Sequence, residues 1–169
     1  MAMPGALSLA RKLLGCIEMG DKADCLEIGC GNGERLRYLR RKYGGRVIGT
    51  DSDPERIKSA PRKIMSAVGV QRVIADSADL PFRRDSFDVV MSLGSPGDAE
   101  NSINAMGEIT RLTRCGGYFI QRERVFPDTD IAWMESIIKQ RFIKLYSSLH
   151  RSLLGKHYHA VWQKAGKRA

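Results

Sequence analysis

A four-residue apolar run, Cys25-Leu26-Glu27-Ile28, opens directly onto Gly29-Cys30-Gly31-Asn32-Gly33, and residues 34–43 then place Leu36 and Leu39 at helical spacing. Glycine at every second position permits a tight turn and lets a ligand approach the backbone N–H groups. The segment predicts a strand, a loop and a helix in immediate succession, with the helix N-terminus supporting negative charge beside the loop. Gly44-Gly45 ends the helix.

The alternation repeats along the chain. An amphipathic lead-in helix is predicted over 6–19, with Leu9, Leu13, Leu14 and Ile17 on one side. Strands follow at 46–50, closed by Asp51, at 71–75, followed by Asp76, at 87–92 and at 118–121 after Gly116-Gly117. Helices fall between them, at 54–68 with a bend at Pro61 and at 99–114 with Ile103, Met106, Ile109 and Leu112 on one stripe. A helix over 129–140 precedes two strands, 142–149 and 157–164, joined around Gly155. Short apolar strands alternating with helices mean an α/β, doubly wound, seven-stranded sheet that is mainly parallel. The last two strands have no helix between them, so they form a hairpin and one of them runs antiparallel. The expectation is a single domain over 1–169, with 1–20 as the lead-in and 141–165 as the terminal hairpin.

Composition excludes several classes. No apolar stretch approaches the ~18–20 residues that span a bilayer, which argues against a membrane protein. Arg11 and Lys12 interrupt the N-terminal apolar stretch, so no secretory signal is read and a cytoplasmic protein is expected. Four cysteines without a CxxC pair suggest neither a disulfide framework nor a metal site. Cys16, Cys25 and Cys115 are expected in or near the core, and Cys30 as a small loop filler. The net charge of +9 is uneven, because residues 136–169 hold eight Lys/Arg, all three histidines and no acid. That basic end could attract nucleic acid, acidic lipid or an anionic substrate, or could be a solvated face.

In an open α/β sheet, ligands bind at the C-terminal ends of the strands. A dinucleotide fold wants G-x-G-x-x-G, and the third glycine of that pattern would stand where the sequence has Glu34, which speaks against a nicotinamide-dependent dehydrogenase. Asp51 lies 22 residues after Gly29, at a strand end where a carboxylate can accept both ribose hydroxyls. Asp76 ends the third strand, where it could accept from the amine of adenine. A nucleoside ligand without a pyrophosphate explains all three features.

This series resembles the class I S-adenosylmethionine-dependent methyltransferases. The matching segments are residues 25–34, Val47 to Asp51, Ala75 to Phe82, Phe87 to Ser92 and Arg111 to Tyr118, in the family's order. The resemblance implies a Rossmann-like fold, S-adenosylmethionine as cofactor and S-adenosylhomocysteine as product. It implies that Glu27, Gly29, Cys30 and Gly31 line the methionine end, that Asp51 holds the ribose with Ser52 beside the adenine, that Asp76 and Ser77 meet the adenine, and that Ser92 lies near the reacting methyl.

The acceptor is not legible: small molecule, RNA and protein stay open, as does a non-catalytic cofactor-binding partner subunit. The sequence after Ser92 lacks the Asn/Asp-Pro-Pro-aromatic run of family members acting on exocyclic amines or glutamine. Asp98, Glu100 and Glu123 are candidate bases, each more simply read as a solvated acid, so the catalytic residue is left unassigned. An open site would suit a large partner or a second subunit such as a homodimer mate. Arg151 and Lys156, with Tyr146, Tyr158 and Trp162, could bind nucleic acid by charge and stacking. Period two, however, puts Tyr158 and Trp162 on one face, where they would pack the sheet.

Overall fold

The computed structural model describes residues 6–59, 61, 69–93, 99–126, 130–152 and 155–166. Its strands are β1 (Cys25–Ile28), β2 (Val47–Asp51), β3 (Val70–Ile74), β4 (Phe87–Ser92), β5 (Thr113–Val125), β6 (Phe142–Ser152) and β7 (Gly155–Lys164). The helices are α1 (Ala6–Leu14), α2 (Glu34–Lys42), α3 (Pro54–Lys58), α4 (Ala99–Leu112) and α5 (Ile131–Lys139). The seven strands form one sheet in the order β3-β2-β1-β4-β5-β7-β6. β1 to β5 pair in parallel, and β7 runs antiparallel between β5 and β6. The doubly wound, mainly parallel α/β fold with one reversed strand in the terminal hairpin is as the alternation predicts.

Burial explains why the central strands read as unbroken apolar runs. Every residue of β1 and β2 is buried, because helices cover both faces. On one face Leu13 and Leu14 of α1 and Leu36 and Leu39 of α2 pack with Val89, Met91, Ile120 and Val161. On the other, Ile109 and Leu112 of α4 and Ile138 of α5 pack with Leu26, Val90, Phe119, Tyr158 and Trp162. Tyr158 and Trp162 share the second face, as period two requires.

Several boundaries differ from the sequence reading. α1 ends at Leu14, where Gly15 N–H closes onto the Arg11 and Lys12 carbonyls. α3 stops at Lys58; Asp53 caps it by accepting from the Glu55 and Arg56 amides, with Pro54 in the first turn. The expected continuation to residue 68 lies, except for Ser59 and Pro61, outside the described residues. β5 is the largest departure. It begins at Thr113, carries Gly116 at φ +78° in an irregular stretch, and continues to Val125 rather than ending at Gln121. Its extra length is set by pairing with β7, a partner 30 to 50 residues away that local pattern cannot announce.

The basic C-terminal segment is partly neutralised by the body. Lys139 and Lys144 pair with Glu135, and Lys164 pairs with Asp85 and donates to the Thr110 and Thr113 carbonyls. Tyr158 also donates to Glu135, whose carboxyl is partly buried; the Lys144, Tyr158 and Lys139 contacts outweigh that burial and pull it down to about 2.

Candidate active site

The strand order changes direction between β1 and β4, and the C-terminal ends of these strands form the edge at which such sheets take ligands. Register brings the ends together: Ile28 pairs with Thr50 and with Ser92, Asp51 with Ile74, and Ser92 with Gln121.

The glycine loop leaves β1 at this edge. Gly29 and Gly31 hold φ of +69° and +54°, a conformation open to glycine and costly for other residues, and a Cβ on either would meet open space. The loop therefore presents bare backbone toward the strand ends. Cys30 turns the other way. Its side chain is buried with Leu36 and Val47, against Gly49, where a Cβ would stand 2.7 Å from its Sγ. Burial, then the nearby Glu27 and Asp51 carboxylates, push its thiol up to about 12. Cys30 is thus a packing residue whose backbone alone reaches the loop surface.

Glu27 is fully buried in β1. Arg35, the second residue of α2, donates to Glu27 Oε1 and, at 3.3 Å, to the Gly29 carbonyl. Glu27 Oε2 is buried with no hydrogen-bond partner. Burial raises the Glu27 carboxyl to about 7 against the opposing pull of Arg35. A buried acceptor left unpaired beside an open backbone cradle marks a place for a donor from outside the chain.

Asp51, 5% exposed at the end of β2, ties the loop down. Its Oδ2 accepts from Gly31 N–H at 2.8 Å and its Oδ1 from Asp53 N–H at 3.0 Å. An ionised carboxylate accepts about four hydrogen bonds, so two places stay available. Ser52 follows it, exposed. Asp76 is exposed, with Oδ1 accepting from Ala78 N–H at 2.9 Å in a turn closed by an Asp76–Asp79 bridge; Ser77 is half-buried. Ser92 is 8% exposed at the end of β4. The nine residues singled out in the sequence therefore fall on the ends of β1 to β4 and the turns that follow them. Cys30 is the one whose side chain faces away.

The candidate bases fare differently. Asp98 lies outside the described residues, as does the side chain of Glu100. Glu123 sits within β5, opposite Tyr158, and not in a loop after it. The cysteine expectations need correction too: Cys25 is buried, whereas Cys16 and Cys115 are exposed. Cys16 falls just after the shortened α1, and Cys115 beside the irregular start of β5. Sequence reasoning missed Arg35, whose link to Glu27 only the α2 geometry creates. It also missed Gln121, 2% exposed, whose Oε1 is a second buried acceptor without a partner. Tyr158 and Trp162 are buried and offer no stacking surface; Arg151 and Lys156 are exposed and paired in register at the hairpin tip.

Comparison with known proteins agrees with this arrangement. A family model described as a methyltransferase domain matches residues 26–121, from the first strand to the register point where β4 ends. The phthiotriol/phenolphthiotriol dimycocerosates methyltransferase of Mycobacterium tuberculosis is 31% identical over 121 residues, which are 71% of this chain and 44% of that protein. The chain spans less than half the length of the first curated relatives it matches. Among solved structures, the fold resembles a methyltransferase in complex with the Haloferax volcanii Trm112 methyltransferase activator, with a TM-score of 0.78 and 19% identity over 95% of this chain and 90% of that one. It also resembles the cyclase SpnF, with a TM-score of 0.79 and 15% identity over 95% of this chain and 81% of that one. The fold alone therefore does not fix the reaction. The matched segment and the ordered strand ends together do fix the family: the chain belongs to the class I S-adenosylmethionine-dependent methyltransferases.

Proposed function

We propose that this domain binds S-adenosylmethionine across the ends of β1, β2 and β3 and directs its methyl group to an acceptor beside Ser92. The observation that carries the reading is the pairing of an open, left-handed glycine loop with a buried, unpartnered Glu27 oxygen and the loop-anchoring Asp51. The cofactor supplies an electrophilic methyl on a sulfonium, so the protein's work is alignment and exclusion of water.

In this reading the Glu27 Oε2 atom accepts from the cofactor's ammonium. Asp51 uses its free lone pairs on the ribose hydroxyls, and its bonds to the loop fix the distance between the two ends of the ligand. Asp76 and Ser77 meet the adenine, beside exposed Ser52, and Ser92 borders the methyl. Relatives named as methyltransferases favour an enzyme over a non-catalytic cofactor-binding subunit.

Calorimetry with S-adenosylmethionine and S-adenosylhomocysteine tests the reading. Both should bind, and Asp51→Ala should weaken them by roughly 30- to 100-fold, the worth of hydrogen bonds to a charged group. Absence of binding of either by the unaltered protein overturns it. A screen with radiolabelled methyl donor against small-molecule, RNA and protein fractions then identifies the acceptor.

A further inference from the structure

The turn that carries Asp76 and Ser77 is tied at both ends. On the β3 side, Ala75 N–H donates to the Asp51 carbonyl at 3.2 Å. Within the turn, Asp79 N–H donates to the Asp76 carbonyl at 3.1 Å, and Ala78 N–H to Asp76 Oδ1 at 2.9 Å. Asp76 to Asp79 is thus a closed unit, and what flanks it sets where it sits. On the far side stands Leu80, 2% exposed and packed in the cluster that holds Phe87, Ile109 and Leu112.

Burying Leu80 takes its backbone N–H and C=O out of water, and each needs a partner. Both partners come from α4. Leu80 N–H donates to Glu108 Oε2 at 2.8 Å, and the Leu80 carbonyl accepts from Arg111 Nη2 at 3.0 Å. Arg111 Nη1 also donates to the Phe82 carbonyl at 2.6 Å. Glu108 and Arg111 are three residues apart on one helix and so face each other. Their fork is bidentate, with Nε to Oε1 and Nη2 to Oε2 both at 2.6 Å. That fork, before any other influence, holds the Glu108 carboxyl below the usual carboxylate range and keeps it ionised at neutral pH. The charge of Asp79, in the turn itself, adds to the pull on Arg111. Beyond the pair, the Phe82 ring stands edge-on to Phe87 at 5.3 Å, and Asp85 N–H donates to the Arg111 carbonyl at 2.9 Å.

The geometry is that of a clamp. One hydrogen bond to Leu80 would leave a pivot; two, on its N–H and its C=O, fix its orientation as well. Arginine can bridge Glu108, Leu80 and Phe82 at once because its donors lie in a rigid plane, whereas a lysine is a point charge on a flexible stem. Ser77 lies three residues before Leu80, so movement of the clamp carries the closed turn with it. A displacement of ~1 Å is enough to spoil a positioned contact.

Resting on the reading that Asp76 and Ser77 meet the adenine, we propose that Glu108 and Arg111 are positioning residues for the base: their grip on Leu80 holds the Asp76 turn where it distinguishes adenine from hypoxanthine. The choice is made at the exocyclic position. Adenine presents an amine there, which donates to the Asp76 carboxylate. Hypoxanthine presents a carbonyl oxygen, an acceptor facing an acceptor. A site built to receive a donor rejects the analogue that lacks it, provided its own acceptor is correctly placed.

Calorimetry with S-adenosylhomocysteine and S-inosylhomocysteine, in which oxygen replaces the amine, reads the clamp as a ratio of affinities. The unaltered protein should favour the adenine ligand by about tenfold or more. Arg111→Lys keeps the charge and loses the fork. It should lower the ratio about fivefold or more, by weakening the adenine ligand while the hypoxanthine ligand stays within about twofold. Glu108→Gln keeps one acceptor for Leu80 N–H and should lower the ratio by a smaller, measurable amount; it carries the test should Arg111→Lys fail to fold. Arg114→Lys is the control, because Arg114 pairs with Asp24 and Asp88 at the opposite end of the sheet. It should lower the thermal midpoint and leave the ratio unchanged.

Equal weakening of both ligands in the clamp variants, an unmoved ratio, or an equal fall in Arg114→Lys overturns the proposal. So does an unaltered protein that binds the two ligands equally, since Asp76 then does not read the base. If S-adenosylhomocysteine does not bind at all, the cofactor reading has failed and the proposal falls with it; binding with a ratio that the clamp variants do not move fails the proposal alone.

Discussion

The glycine-loop half, β1 to β4, and the ribbon half, β5 to β7, are built by different rules. In the first, each site residue lies at a strand end or in the turn that follows, so local sequence order becomes spatial order at one edge of the sheet. In the second, the grouped residues come from strands paired across long separations: Arg122 meets His159 and Arg124 meets His157 only because β7 runs antiparallel to β5. The loop half matches its buried acid Glu27 to Arg35, whereas in the ribbon half buried His157 and His159 are both acted on by Arg122. Strand ends can be specified by a local motif; a face assembled from distant strands is set by register.

Breaking the ribbon should have the largest effect. Trp162 is fully buried in the cluster that joins β7 to α4 and α5. Trp162→Ala is expected to cost about 3–5 kcal/mol in denaturant unfolding. One cooperative transition in both proteins would mean that the two halves fold as a unit; a second transition would separate them.

Next comes pH. His159 is held down to about 4, by burial first and Arg122 second, against 6.5 when unfolded. A group whose folded value is depressed contributes stability that is present above pH 6.5 and lost as pH falls toward 4. The loss is on the order of 2 kcal/mol. Thermal unfolding between pH 7 and 4 should show it, and His159→Gln should flatten the curve. An equal slope in the variant would place the effect elsewhere.

A smaller change probes the loop. Gly31→Ala forces a side chain into a φ of +54°, at a cost of about 1–2 kcal/mol. Because the added Cβ meets open space within the protein, cofactor affinity should fall by more than stability accounts for. Equal affinity would mean that nothing approaches the loop there. The least perturbing experiment is thiol labelling of the native protein. Cys16 and Cys115 should react readily, while buried Cys25 and Cys30, both pushed up to about 12 by burial first, should react only on unfolding.

Much of the fold, and the strand ends that make up the candidate site, could be read from the sequence alone. The reason is that β1, β2 and β4 are buried on both faces and thus continuous in hydrophobicity, while the turns after them carry residue types with few other uses. Element ends were less legible. α1 closes early at Gly15, and β5 outlasts its apolar core by four residues, since backbone pairing with β7, not side-chain pattern, decides where it stops. The two exposed cysteines were misread for a related reason: Cys16 lies just past the end of α1, and Cys115 lies in the irregular first residues of β5.

By itself the sequence determined the alternating α/β architecture, the glycine loop and the carboxylates at the end of β2 and after β3, because strand burial, turn chemistry and helix spacing are local constraints. Only the tertiary structure decided that Cys30 packs inward, that Arg35 reaches Glu27, that one Glu27 oxygen is left unpaired, and that Arg122, Arg124 and three histidines of separate strands share a face. Those depend on burial and register, which arise only once distant segments have displaced water between them.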